Sequence, residues 1–342
     1  MLLESKKEVT EKQFFWNCAK GSSCVLITGA DGFIGKALCA EMVFRGWKVR
    51  ASVRSREKIK NLPEEIGIIE TGSIGLDTEW THALDNVDSV VHLAGRVHVM
   101  EDSSSDPLSE YRIVNTAGTE KLAKSAVSMG VRRFVFMSTV KVNGEGRAGS
   151  YNEDDMPDPK GPYGMSKWEA EKKIMEVARE TGMEVVIIRI PLVYGPGVKT
   201  NFLKLLKAVD KGIPMPFAGI NNRRSMIYIY NLTDLIIKSM TDPKASGKTY
   251  FASDCEDVST ADLIKNISTV LGKNSRLFHL PLPVIKLLGN ITGYTDEIDK
   301  LTGSLTVDSS LAKKELNWTP PFTLVQGLKE TTEWYKTAFG RR

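Results

Sequence analysis

One turn near the start of this chain constrains its fold more than any other feature. Val25-Leu-Ile-Thr28 is an apolar run of strand type, and it flows into Gly29-Ala-Asp-Gly32-Phe-Ile-Gly35. Lys36-Ala-Leu-Cys-Ala-Glu-Met42 then reads as a helix. Glycines three apart at such a junction have separate tasks. They let the chain turn tightly, let backbone approach a diphosphate, and let helix pack closely on strand. The helix N-terminus offers free N–H groups and a positive dipole end to phosphates.

The rest of the first half fits that beginning. Short apolar runs predict strands over 24–28, 48–53, 66–70, 87–93, 131–138 and 183–190, with helices between them at 33–45, 108–129 and 161–181. Strands alternating with helices argue for an α/β protein of Rossmann type, a doubly wound parallel sheet. Such sheets take ligands outside the carboxyl ends of their strands, where Gly29, Leu93-Ala94-Gly95 and Ser138-Thr139 fall. Beyond Pro191 a series of prolines breaks the rhythm, as a smaller C-terminal lobe of helices and short strands would require. The expected division is a 1–22 extension, a dinucleotide-binding domain over 23–190 and a mainly substrate-binding lobe over 191–342. The extension carries Phe14, Phe15 and Trp16, which could pack on the body or on a partner. Pro281 to Gly293 is apolar but too short to span a bilayer. It reads as a packed helix, with an interfacial or dimer-forming role as the alternative.

Tyr163-Gly-Met-Ser-Lys167 puts a phenol and a cation four residues apart on one helical face. Alone, such a spacing arises by chance and usually marks a surface helix pair. After a glycine turn it gains meaning, because an ammonium beside a phenol favours the phenolate and would lower the Tyr163 pKa.

Composition excludes several classes. Acidic and basic residues nearly balance (42 against 46), and no long basic run suggests a nucleic-acid partner. Cys18, Cys24, Cys39 and Cys255 lack metal-type spacing, and His82, His92, His98 and His279 form no ligand cluster, so no metal is expected. No stretch is long and apolar enough for a membrane span, and the charged start does not read as a signal peptide. A reducing, cytoplasmic setting follows as the expectation.

Taken in order, the motifs resemble the extended short-chain dehydrogenase/reductase family, in its nucleotide-sugar epimerase, dehydratase and reductase branch. The resemblance runs from about residue 24 to 335 and is carried by Thr28-Gly-Ala-Asp-Gly-Phe-Ile-Gly35, His92-Leu-Ala-Gly95, Asn115 with Gly118-Thr119, Phe134-Val-Phe-Met-Ser-Thr139, Tyr163 with Lys167, and Val193-Tyr-Gly-Pro196. It extends through Arg224-Ser-Met-Ile-Tyr-Ile and Leu316-Asn-Trp-Thr-Pro320. It implies a UDP-sugar substrate, a bound nicotinamide cofactor and hydride transfer at a sugar carbon. Tyr163 would be the general acid/base. Lys167 would lower its pKa and hold the nicotinamide ribose, Thr139 would set a hydroxyl against the reacting sugar oxygen, and Ser138 would support the backbone there. Gly29, Gly32, Phe33, Ile34 and Gly35 would line the diphosphate, Ser73 and Ile74 would contact adenine, and Leu93, Ala94 and Gly95 would pass under the cofactor. Asn115 would hold the nearby strand end, and Asn201 and Arg224 would grip the substrate diphosphate. The resemblance also implies a homodimer built on the helix that carries Tyr163.

Three departures bear on the reaction. Relatives that use NAD place an acid at the end of the second strand, where this chain has Val53 followed by Arg54 and Arg56. Cations there favour a ribose phosphate, so the expected cofactor is NADP or NAD, with NADP favoured. The region 297–303 lacks the arginine many epimerases use for the diphosphate and has Lys300 as its cation, and Leu192 stands where many epimerases have Asn. The basic strand end tips the expectation toward reduction of a UDP-4-keto-6-deoxy-N-acetylhexosamine for surface polysaccharide. The alternatives are a UDP-glucose or UDP-N-acetylglucosamine 4-epimerase with tightly bound NAD and, more remotely, a non-catalytic NADP-binding sensor.

Overall fold

A computed structural model describes residues 23–59, 62–97 and 106–340. The aromatic extension before Ser23, His98 and Cys18 lie outside the described residues. The strands are β1 (Cys24–Thr28), β2 (Lys48–Val53), β3 (Gly67–Glu70), β4 (Ser89–His92), β5 (Arg133–Thr139), β6 (Ser150–Tyr151), β7 (Glu184–Ile190), β8 (Leu192–Tyr194), β9 (Met226–Tyr228), β10 (Lys248–Phe251) and β11 (Thr306–Val307). Seven of them form one sheet in the order β10-β7-β5-β4-β1-β2-β3. Every pairing in it is parallel. The order reverses between β1 and β4, which run side by side from Val25↔Ser89 to Thr28↔His92. The expected doubly wound Rossmann-type sheet is therefore present, with its switch point beside the glycine turn.

Both faces of the sheet are covered, which is why its strands are nearly continuous apolar runs rather than alternating ones. Val25, Ile27, Val135 and Ile188 enter one core with Leu38 and Met42 of the helix Phe33–Phe44. Their neighbours Leu26, Phe134, Phe136 and Ile187 point the other way, onto Leu122 and Ile174. The chain crosses between its two halves more than once. The helix Ile229–Thr241 packs its Leu232, Leu235 and Ile236 into the first of these cores, and β10 pairs with β7 at the sheet edge. Both come from beyond residue 190.

The lobe has its own core around Tyr194, Phe202, Leu206, Tyr228, Ile264 and Leu328. A short ladder of β6 with β11 ties it to the sheet half, while β8 with β9 forms a second ladder within the residues beyond 190. The apolar stretch after Pro281 does form a helix, Leu282–Thr292, but only Ile285 and Gly289 are buried. The expectation of a packed helix is met on one narrow stripe alone.

Candidate active site

Two glycines of the turn, Gly29 and Gly35, are required by a close approach. Gly29 has φ +66°, and a Cβ there would sit 2.9 Å from the Ala94 backbone after β4. The Gly32 N–H donates to the Gly29 carbonyl at 3.0 Å. A Cβ on Gly35 would lie 2.2 Å from that same carbonyl, inside any allowed contact. Gly32 then opens the helix Phe33–Phe44 with no side-chain cap, so its first N–H groups face outward unclaimed by side chains. Close backbone with free donors at the sheet's switch point fits a dinucleotide diphosphate.

The region predicted as one helix over 108–129 is interrupted. Pro107–Tyr111 and Gly118–Ser128 are α-helical, while Arg112–Ala117 forms a π-helix. Such bulges turn a side chain out of register and recur at functional sites. Here the side chain is the buried Asn115. Its Nδ2 donates to the Arg96 carbonyl at 3.0 Å and to Ser166 Oγ at 3.0 Å, and its Oδ1 accepts from the Arg96 N–H at 2.8 Å. Asn115 thus fastens the loop after β4 to the helix Pro162–Thr181. A Cβ on Gly95 would meet Asn115 Oδ1 at 2.9 Å and Lys167 Nζ at 3.6 Å, so these three residues converge.

Three consecutive residues of β5 engage three successive turns of that helix. Lys167 Nζ donates to the Met137 carbonyl at 2.8 Å and lies 4.4 Å from the centre of the Phe136 ring. Ser138 Oγ donates to Glu171 at 2.5 Å. Thr139 hydrogen-bonds the Tyr163 phenol, and its Oγ1 also accepts from the Lys141 N–H at 3.3 Å. Burial lowers the Lys167 pKa to about 8, opposed by the Glu171 carboxylate one turn away. Burial raises the Tyr163 pKa to about 12, with Tyr111 adding to the rise and the Thr139 hydrogen bond opposing it. The expected lowering of the phenol by Lys167 is therefore reversed in the chain by itself. The ammonium is turned to the Met137 carbonyl, and desolvation outweighs any help it gives.

Sequence reasoning missed the base of this arrangement. Arg189 of β7 pairs with Glu171 at 2.6 Å and 3.1 Å and donates to Asn143 Oδ1 at 3.0 Å, with both charged side chains almost wholly buried. The signal was present: Arg189 interrupts an apolar strand, Val-Val-Ile-Ile-Arg-Ile, and a charge buried there needs a partner. His92 is likewise internal. Its Nδ1 lies 2.7 Å from Thr28 Oγ1 and its Nε2 lies 2.9 Å from Thr119 Oγ1, and burial, with Lys167 nearby, pushes its pKa down to about 3.

The remaining predicted positions are spread more widely. Arg54 is exposed beyond the buried Val53, whereas Arg56 spends one guanidinium donor on the Ile68 carbonyl at 2.7 Å. Ser73 is exposed, and Ile74 packs where a Cβ on Gly118 would come within 2.5 Å of it. Phe33, Ile34, Leu93 and Ala94 are partly buried around the turn. Asn201 is exposed at the start of the helix Thr200–Asp210. Arg224 donates to the Lys300 carbonyl at 2.6 Å and the Gly303 carbonyl at 3.1 Å. Among the described residues, no hydrogen bond joins these last two to the Tyr163 cluster.

Sheet order, glycine turn and the tyrosine–lysine helix together define a Rossmann-type α/β protein. The sequence profile of the NAD dependent epimerase/dehydratase family matches residues 25–252, and the chain belongs to that family. It is 42% identical over 322 residues to a UDP-glucose 4-epimerase of Vibrio cholerae, covering 93% of this chain and 97% of that protein. It is 28% identical over 332 residues to the N-acetyl-alpha-D-glucosaminyl-diphospho-ditrans,octacis-undecaprenol 4-epimerase of Escherichia coli O157:H7, covering 91% and 94%. Among solved structures, UDP-glucuronic acid 4-epimerase from Bacillus cereus in complex with NAD superposes with a TM-score of 0.76 at 22% identity, covering 92% of this chain and 99% of that one. MoeE5 in complex with UDP-glucuronic acid and NAD gives 0.75 at 25% identity, covering 93% and 100%.

Proposed function

We propose that this chain is a nucleotide-sugar 4-epimerase that retains NAD and acts at C4 of a UDP-hexose. The observation that carries the proposal is the convergence of Thr139, Tyr163 and Lys167 at the end of β5, beside a glycine turn built for a diphosphate. The 42% identity to a UDP-glucose 4-epimerase supports epimerisation ahead of the 4-keto reduction expected from the sequence.

Gly29, Gly32 and Gly35, with the N–H groups of the helix they open, would hold the cofactor diphosphate, and Lys167 would reach its ribose. The nicotinamide supplies hydride removal and return at the sugar carbon when bound. Tyr163 takes the proton from the C4 hydroxyl as the C–H bond breaks and gives it back to the carbonyl oxygen when that bond reforms on the other face. Thr139 places a second hydroxyl at that oxygen, where negative charge develops. Lys167 retains two ammonium protons beyond the one given to Met137, enough to bind a ribose hydroxyl and lend its field to the phenol. Bringing a phenol at about 12 into the working range is then the task of Lys167 and the bound cofactor together.

A second reading, reduction of a UDP-4-keto sugar by NADPH, rests on Arg54 at the exposed end of β2. The partial commitment of Arg56 to the Ile68 carbonyl halves the support that two cations gave it. One experiment separates the two. The purified protein is denatured and its released nucleotide identified, and fresh protein is assayed for UDP-glucose/UDP-galactose interconversion without added cofactor, including the N-acetylated pair. Released NAD with interconversion supports the epimerase. Stoichiometric NADPH oxidation with a UDP-4-keto-6-deoxy-N-acetylhexosamine, without interconversion, overturns it in favour of the reductase.

A further inference from the structure

The buried pair Glu171–Arg189 has no part in the steps assigned above, yet it lies directly behind them. Tyr163, Lys167 and Glu171 follow one another at four-residue intervals along the helix Pro162–Thr181 and so share one face. β5 answers that face residue by residue. The Met137 carbonyl accepts from Lys167 at 2.8 Å, Ser138 Oγ donates to Glu171 at 2.5 Å, and Thr139 bonds the Tyr163 phenol. From β7, Arg189 grips both Glu171 oxygens, at 2.6 Å and 3.1 Å. Its Nη1 donates to Asn143 Oδ1 at 3.0 Å, in the segment that follows Thr139. One guanidinium therefore fastens the helix of Tyr163 and Lys167 to the chain leaving Thr139.

Stability alone gives no reason for charge at this depth. A buried ion pair is often matched or bettered by apolar side chains of the same volume, because both charges lose their water. Here Glu171 is 1% exposed and Arg189 and Lys167 are each 4% exposed. What the carboxylate adds is a field on the residue one turn earlier. Burial lowers the Lys167 pKa to about 8, and Glu171 opposes that fall.

The other groups packed about Lys167 supply no anion. On its own helix stands the Tyr163 phenol, kept protonated by burial. From β4 comes His92, whose ring is held neutral by burial, with Lys167 adding to the effect. β5 presents the Phe136 ring and the Met137 carbonyl, and the Asn115 amide converges on the same place beside Gly95. The β7 cation, Arg189, is turned to Glu171. Among the described residues, Glu171 is the one anion acting on Lys167.

We propose that Glu171, fixed by Arg189 and Ser138, is a positioning residue: it holds Lys167 in the ammonium form that binds the ribose and lends its field to Tyr163. The part given to Lys167 rests on the epimerase reading above. An uncharged amine in that place would leave the phenol with desolvation and nothing against it but the Thr139 hydrogen bond.

The test follows Lys167 both directly and through turnover. In the full chain, isotope-labelled at lysine, the Lys167 side-chain NMR signal is titrated with pH and assigned by its loss in Lys167→Arg. Glu171→Gln should move its midpoint down by at least about one pH unit. Since that variant leaves Arg189 buried without its partner, Glu171→Gln/Arg189→Met, which removes both charges, is measured beside it and should move the same way. UDP-hexose turnover by the double variant should decline with rising pH about one unit earlier than in the parent, and match the parent within about two-fold at the acid end. An unmoved Lys167 midpoint in the double variant overturns the proposal. So does turnover lowered by the same factor at every pH, the mark of a purely structural lesion. A shifted midpoint in a chain whose parent interconverts no UDP-hexose sustains the hold of Glu171 on Lys167 and overturns the epimerase reading instead, so the two failures are told apart.

Discussion

The central strands of the parallel sheet and the helix Leu282–Thr292 are both rich in leucine, isoleucine and valine, yet the strands are enclosed and the helix is mostly bare. In the sheet, alternate residues of each strand enter two separate cores, so every apolar side chain has a neighbour on its own face. In the helix only the Ile285 stripe has one. Composition alone does not separate these cases; what lies opposite does. The polar groups follow the same division. Inside the sheet half Glu171, Arg189, His92 and Asn115 are each bonded by partners from other elements. On the lobe helix, by contrast, Lys286 is paired with Asp299 at 3.0 Å in an exposed pair. Changes in the first region should therefore be costly, and changes in the second nearly silent.

The largest effect is expected at Tyr163. Tyr163→Phe keeps the ring that packs beside Tyr111 and removes only the hydroxyl. Turnover should fall by about 10²–10⁴-fold, while nucleotide retained through purification stays the same. Retained turnover would leave the tyrosine a structural residue and remove the chemical reason for the buried cluster.

Arg189→Met should follow, because it takes both guanidinium bonds from the buried Glu171 carboxylate and leaves it with Ser138 and, a turn away, the Lys167 ammonium that is itself bonded to the Met137 carbonyl. Urea unfolding should register a loss of about 3–5 kcal/mol. Adding Glu171→Gln should restore part of that loss, since the uncompensated charge is then gone as well. If the double variant is no more stable than the single one, the cost lies in lost packing rather than in electrostatics.

His92 gives the sheet half a pH dependence. Its folded-state pKa lies near 3 against an ordinary value of 6.5, because the buried ring is held neutral. Between those values the unfolded chain binds a proton that the folded chain refuses. Stability therefore rises with pH through this window and is lost as pH falls from 6.5 toward 3. The loss should be on the order of a few kcal/mol across that range. Melting temperatures of His92→Gln, taken as differences from the parent protein, should show a shallower acid decline; parallel curves would remove His92 as the cause.

These contrasts mirror what could be read from the residues in advance. The six strands and the helices around the glycine turn follow local rules of period and punctuation, and the structure places them within a few residues of expectation. The π-helix at Asn115 could not be read that way. The run Tyr-Arg-Ile-Val-Asn-Thr has ordinary helical composition, and only contact with the Arg96 loop makes the bulge worthwhile. β10 escaped for a related reason: it lies far along the chain among prolines, and its place at the sheet edge depends on β7. The sense of the Tyr163 shift was misjudged because spacing reveals that Lys167 is near, but not that its ammonium is turned toward the Met137 carbonyl. Local pattern gives elements and candidate groups, while burial and the direction of each hydrogen bond depend on residues far away in sequence.

The smallest expected effect is the sharpest check on the comparison. Leu287 has the same side chain as Leu26, which is fully buried in the sheet, where a truncation would cost about 2–5 kcal/mol. At Leu287 that hydrocarbon is 58% exposed in the folded chain and gains little over the unfolded state. Leu287→Ser should therefore change the unfolding free energy by less than about 0.5 kcal/mol. A loss comparable to a core truncation would mean that something covers this face in the free protein.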